Sequence, residues 1–235
     1  MNTPSPTGVL LAQLGTPDAP TPAALRRYLG EFLADRRVVD LNRALWWPLL
    51  HGVILRTRPR KSAALYRRIW TERGSPLLFH SKAQRDGLAD RLGEGFRVEL
   101  GMRYGNPGIG PALDRLADAG CRRVLVLPLF PQTCSATTLS VFDAVASWSR
   151  GRRDMPDLHF VRGFADHPAF VDALATTVRR SGAVPTARAP LLLSFHGIPQ
   201  RYADGGDPYA EECDATARAL AARLGLEDGA WRVVY

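Results

Sequence analysis

The sequence has 235 residues, of which 46% are hydrophobic, 23% charged and 9% aromatic. That balance fits one large or two modest globular domains and excludes disordered and fibrous classes. The net charge of +8 points to an acidic partner, whether a carboxylated small molecule, an anionic membrane surface or nucleic acid, without choosing among them.

The opening stretch MNTPSPTGVLLAQLG has no basic region before its apolar run, so it is a short tail leading into a first strand, GVLLAQL at 8–14. Residues 35–78 form an insertion, basic and aromatic, between the first and second strands. The second strand is FRVELG at 96–101; after Asn106 and Pro107, the residues Ile109, Leu113, Leu116 and Ala117 line one face of a helix that Gly120 stops. RVLVLPL (123–129) and LHFVRGF (158–164) are further strands. Asp166 is the expected cap of a helix with Pro168 in its first turn and Phe170, Val171, Leu174 and Val178 on one face. PLLLSFH (190–196), a helix opened by Asp207 and Pro208, and WRVVY (231–235) complete the chain. A run such as Leu191 to Leu193 predicts a parallel strand buried on both faces. No apolar segment approaches the length that spans a membrane.

This alternation predicts an α/β fold with doubly wound parallel sheets. Composition loosens at RGRRDMPD, 150–157, which places a boundary between a first half, 1–157, and a second, 158–235. The second half ends in a strand with no helix after it and so reads as incomplete. Cys121, Cys134 and Cys213 form no CxxC pair and no zinc spacing, so neither a disulfide framework nor structural zinc is indicated, and a reducing cytosol is the default.

His196 is the first candidate for chemistry. It stands where an apolar strand gives way to a Gly-Ile-Pro turn, on the sheet edge where α/β proteins bind ligands. Two readings stand side by side: a satisfied strand-end histidine, or an imidazole that ligates a divalent metal or accepts a proton near neutral pH. Arg103 and Tyr104, in MRYGNP, lie just past another strand. The arginine fork could hold a carboxylate; the bland reading is a solvated arginine and a tyrosine packed over the Asn-Pro turn. In the insertion, Trp46, Trp47, Leu49, Leu50, Val53, Ile54 and Leu55 lie beside Arg56, Arg58, Arg60, Lys61, Arg67 and Arg68. That mixture suits a packed helix pair, or a lip resting in a membrane interface or covering a flat apolar ligand with carboxylates. Nucleic acid fits less well, for no recognition motif accompanies the charges. GNPGIG is not a dinucleotide fingerprint, and neither a Walker lysine nor GxSxG is present. The hydroxyls of FPQTCSATT (130–138) have an ordinary explanation as caps of the next helix.

Six motifs in one order, QLGTP (13–17), RPRKSAALYRRIWTERGSPLL (58–78), MRYGNP (102–107), LPLFPQ (127–132), SFHGIPQRY (194–202) and GDPY (206–209), resemble those of the ferrochelatases, in their bacterial form. The resemblance covers residues 8–235 and implies two Rossmann-like halves, the second lacking its C-terminal part, with a porphyrin cleft between them. It implies insertion of Fe²⁺ into protoporphyrin IX to form protohaem, a lyase-class reaction of haem biosynthesis in which iron is a substrate. Position by position, it gives His196 as catalytic and metal-binding residue. Leu14, Tyr66, Ser75, Arg103 and Tyr104 become substrate-binding positions, with Arg58, or Arg56, the partner for a propionate.

The sequence departs from the family in two places. Phe130 to Cys134 stand where many relatives have YPQYS, so tyrosine hydroxyls are missing there. The downstream glutamate that faces the histidine in relatives lies beyond the match. No organic cofactor is expected, and no iron–sulfur cluster, since Cys134 is displaced by one position from the loop cysteine of cluster-bearing relatives. The alternatives are a non-catalytic fragment binding a tetrapyrrole or a membrane, or a chelatase for coproporphyrin or another metal. The expected place is the cytoplasm, with peripheral contact of residues 41–70 to the inner membrane.

Overall fold

The apolar run after the tail forms β1 (Thr7–Thr16) in the computed structural model, which describes residues 5–235. β1 pairs in parallel with β2 (Phe96–Gly105) on one side and β3 (Arg123–Pro128) on the other, and β3 pairs with β4 (Asp157–Phe160). The sheet order is β2-β1-β3-β4. Val9, Leu10, Leu11 and Ala12 are all buried, because helices cover both faces of the central strand. Val9 and Leu11 pack with Leu100 and Met102 against Leu78, Leu88 and Leu92 of α4 (Pro76–Leu92). On the other face, Ile109 of α5 (Ile109–Asp118) lies close to Leu10 beside Gly101, which has no side chain to separate them. Each large apolar side chain so buried contributes roughly 1.5–3 kcal/mol.

β1 and β2 stay paired to their carboxyl ends, where Gly15 lies opposite Tyr104 and Thr16 opposite Gly105. Two glycines allow it. Gly15 has φ +109°, and a β-carbon there would sit 1.8 Å from the Tyr104 carbonyl oxygen; Gly105 has φ +78°, and a β-carbon there would sit 2.6 Å from the Thr16 carbonyl oxygen.

Helices fill the chain between β1 and β2, the first of them ahead of the insertion. α1 (Pro22–Ala34) begins at Thr21, whose hydroxyl accepts from the Ala24 N–H, with Pro22 in the first turn. α2 (Arg43–Leu49) runs through a π-helical turn, Leu50–Ile54, into α3 (Leu55–Ile69), the Leu55 N–H reaching back to the Leu50 carbonyl. The two tryptophans divide. Trp46 is 7% exposed and its indole N–H donates to the Leu33 carbonyl at 2.8 Å, whereas Trp47 is 43% exposed.

By contact density the first unit comprises the chain up to Leu129 with Ser135–Arg162, including α6 (Ser140–Ser149). The second comprises Phe130–Cys134 and Gly163–Tyr235. The division therefore falls after Arg162 rather than at 157. β4 belongs to the first sheet, where Asp157 to Phe160 pair with Arg123 to Val126. In the second unit β5 (Leu191–Ser194) pairs in parallel with β6 (Trp231–Val234), beside α7 (Pro168–Arg180), α8 (Gln200–Asp204) and α9 (Tyr209–Leu224).

Two local expectations are corrected. β5 is not buried on both faces: it alternates half-buried and exposed residues, Leu192 being 58% exposed, the pattern of a sheet covered on one side. The cap of α7 is His167, whose Nδ1 accepts from the Ala169 N–H at 3.3 Å, not Asp166. On α9, Cys213, Thr216, Ala217, Leu220 and Ala221 make the buried stripe at helical spacing.

Gly15→Ala should cost about 3 kcal/mol or more in urea unfolding, since it forces both backbone strain and a strand-end clash. Gly52→Ala, in open space on the π-turn, should be neutral or slightly stabilising. Equal effects of the two would contradict this account of the strand ends.

Candidate active site

Five of the residues singled out in the sequence converge on the carboxyl ends of β1 and β2. Leu14 is half-buried against a cluster that includes Tyr28, Leu29, Leu33 and Trp46. Tyr28, from α1, donates its hydroxyl to the Gly15 carbonyl at 3.2 Å, and Tyr66 on α3 is among the groups that act on it electrostatically. Burial pushes both tyrosines above their ordinary range, so they stay protonated at neutral pH. Thr16 donates to Ser75 Oγ at 2.9 Å, joining the end of β1 to the start of α4. Ser75 is buried. Its hydroxyl oxygen ties the two elements together.

Arg103 and Tyr104 enter a network whose centre the sequence did not reveal. Asp35, just past α1, accepts at Oδ2 from Arg103 Nη2 at 2.5 Å, the Tyr104 hydroxyl at 2.7 Å and the Ser140 hydroxyl at 2.7 Å. Its Oδ1 accepts the Arg37 backbone N–H at 2.7 Å. Arg103 Nε donates to the Ser140 carbonyl at 2.8 Å and to its Oγ at 2.6 Å, and the guanidinium carbon lies 4.5 Å from the Tyr104 ring centre. Arg37 in turn forks onto Asp143 at 2.8 and 3.2 Å. Burial alone would raise the Asp35 carboxyl; the hydroxyls of Ser140 and Tyr104, the Arg37 N–H and the Arg103 charge outweigh it and hold it below its ordinary value. Tyr104 is 1% exposed. It therefore packs in the core, where its hydroxyl serves the Asp35 network. Arg58 and Arg56 are exposed on α3.

In the second unit, His196 stands two residues past the end of β5 and is exposed. Its Nδ1 lies 2.7 Å from the Gly197 carbonyl oxygen. A carbonyl only accepts, so Nδ1 carries the proton and the Nε2 lone pair of the neutral ring is left for a metal or a proton. Burial, and then the neighbouring Cys213, push the nearby Tyr209 phenol up to about 12. Asp207 of the GDPY motif accepts the Tyr209 N–H at 3.1 Å and so holds the first turn of α9.

Residues 130–134 lie along α9, with the Thr133 N–H donating to Glu212 at 2.6 Å and Gln132 donating to Thr216 at 2.8 Å.

A sequence model of the family described as ferrochelatase matches residues 6–235. The chain belongs to the ferrochelatase family. It is 50% identical to ferrochelatase 1 of Shewanella oneidensis, the match covering 100% of the chain and 72% of that protein. It is 52% identical to the ferrochelatase of Thioalkalivibrio sulfidiphilus, over 97% of the chain and 63% of the relative, and 50% identical to that of Yersinia enterocolitica, over 93% and 68%. This ferrochelatase chain thus spans about two thirds of the length of those relatives. The α/β fold expected from the alternation of its elements is the one observed.

Tyr104→Phe should destabilise the first unit by about 1.5–3 kcal/mol in urea unfolding, because it removes the buried hydroxyl's bonds to the charged Asp35 and to Ser140 and leaves the ring in place. An unchanged midpoint would show that the hydroxyl is not part of the core network.

Proposed function

We propose that the chain carries ferrochelatase chemistry, inserting Fe²⁺ into protoporphyrin IX to give protohaem and two protons. The observation that carries this reading is His196, exposed at a strand's carboxyl end with Nδ1 committed to a backbone carbonyl and Nε2 open. Metallation needs a group that removes pyrrolic protons while the cation enters a nearly planar ring, and Nε2 is such a group. The same lone pair cannot hold iron and a proton together, so His196 serves as metal ligand and as base at different moments. The first unit contributes the binding side: Leu14 offers an apolar surface, the half-buried Tyr66 a ring edge, and Arg103 and the exposed Arg58 offer guanidinium donors to propionates.

Iron is a substrate here. An iron–sulfur cluster is not part of the proposal, because Cys134 is displaced by one position from the loop cysteine of cluster-bearing relatives. Protoporphyrin is preferred over coproporphyrin as substrate on the tryptophan-rich insertion with its basic flank, which suits a membrane-proximal enzyme.

Peripheral membrane contact through residues 41–70 belongs to the same proposal, placing the protein at the cytoplasmic side of the inner membrane. Among the described residues no helix is long and apolar enough to cross a membrane. Yet Leu45 is 77% exposed, and Leu41, Trp47, Leu49, Val53, Leu65 and Ile69 are exposed with it. Arg56, Arg58 and Arg60 stand exposed on the same helical segment. Apolar side chains beside cations suit an anionic lipid surface.

An anaerobic titration with protoporphyrin IX followed by Fe²⁺ tests the chemistry. The chain should shift the Soret band on binding and then collapse the four Q bands toward two. His196→Ala should bind the porphyrin yet metallate it slower by on the order of a hundredfold or more. Metallation at the unaltered rate in that variant removes His196 from the mechanism, and binding without metallation by the unaltered chain makes it a tetrapyrrole binder only.

For the membrane, the chain should float with vesicles of anionic phospholipid. Leu45→Glu with Leu49→Glu should weaken that association about tenfold, and flotation that is indifferent to both substitutions would refute contact through α2.

A further inference from the structure

Arg103 has a guanidinium with two sides in different situations. Nε and Nη2 face inward, to the Ser140 carbonyl and hydroxyl and to the Asp35 carboxylate, and the guanidinium lies against the Tyr104 ring. Nη1 makes no hydrogen bond among the described residues, while the side chain as a whole retains 21% exposure against 7% for Asp35. A long arginine left to itself loses conformational freedom when it grips a ligand. Here that freedom is already gone, since the fork is held by partners from the loop after α1 and the start of α6.

The partner that fixes it is Asp35. Each of its carboxylate oxygens accepts at least one hydrogen bond, Oδ2 from three donors. Ser140 and Tyr104 are each bonded to the same oxygen that pairs with Arg103, so the cage closes on itself. An amide at position 35 would keep the side chain's size but carry no charge and only one acceptor oxygen, so the charge-assisted bond that holds Arg103 is lost.

We propose that Asp35 is a positioning residue for the substrate: it pins the Arg103 guanidinium so that its remaining Nη1 edge is presented, preorganised, to a carboxylate of the tetrapyrrole. This rests on the reading of Arg103 as a propionate partner. Asp35 touches no substrate itself. Its effect passes wholly through Arg103, which distinguishes it from a residue that merely holds the fold.

Two measurements on the intact chain test it, each made where melting curves show wild type and variants folded. In the first, side-chain ¹⁵N NMR follows rotation about the Arg103 Nε–Cζ bond, the signal being assigned by its disappearance in Arg103→Lys. Rotation should be slow in the unaltered chain and about tenfold faster in Asp35→Asn. Unchanged rotation overturns the clamp, whatever the ligand.

In the second, protoporphyrin IX is compared with its dimethyl ester, in which both carboxylates are blocked. Asp35→Asn should weaken binding of the diacid about tenfold and leave the ester unaffected. In an Arg103→Ala background, Asp35→Asn should add nothing. Equal loss for diacid and ester, or an undiminished effect without Arg103, overturns the positioning role. Failure of the unaltered chain to bind either compound counts instead against the proposed function, and the rotation measurement still decides the clamp.

Discussion

The first unit depends on one close approach, the pairing of β1 and β2 out to their last residues. Gly15 and Gly105 each lie where a β-carbon would strike the opposite strand's carbonyl oxygen. Because the strands do not splay, Leu14 and Thr16 on one strand and Arg103 and Tyr104 on the other end at a common level. Everything that gathers there uses that edge. Tyr28 reaches the Gly15 carbonyl, Ser75 receives the Thr16 hydroxyl, and Asp35 reaches Tyr104 and Arg103. A strand end displaced by even one residue would turn each of these side chains to the other face of the sheet.

The charge at Asp35 is the second constraint, and it differs in kind from the other ion pairs. Arg122 and Asp154 pair at 2.7 Å with both side chains mostly exposed, where water and salt screen them. Asp35 is nearly enclosed, and a lone carboxylate there would be costly to desolvate. The four donors around it make burial tolerable, and their loss one at a time leaves an unsatisfied charge. Such a site specifies geometry more than it adds stability, since only one arrangement of α1, β2 and α6 supplies all the donors together.

How much of this was legible from the residues depended on range. Every strand was visible, because parallel strands write themselves as short apolar runs such as RVLVLPL between helical periods. His196 was visible for the same reason: it stands where such a run stops. Asp35 was not, because its partner Ser140 is 105 positions away and no period connects them. The two adjacent tryptophans could not be told apart by composition, and only the fold shows that one donates to Leu33 while its neighbour stays at the surface. Burial of β5 was overestimated by the same rule that found it, since an apolar run records what a strand can bury and not which of its faces is covered. The place of β4 followed from ladder pairing, which the loosened composition at 150–157 did not encode.

The contrast between the half-buried guanidinium clamp and the exposed imidazole follows from what each would do in metal insertion. A group that binds a carboxylate works best if it never moves, so Arg103 gains from enclosure and fixed neighbours. A group that takes protons must also lose them, twice for each metal inserted, before it can act again. An imidazole sealed in an apolar core would pay desolvation each time it became charged. His196 avoids this by standing exposed beyond β5, while its one fixed bond, from Nδ1 to the Gly197 carbonyl, still determines which nitrogen is open. Enclosure for the anion's partner and exposure for the proton's acceptor are opposite solutions, and each suits the chemistry assigned to it.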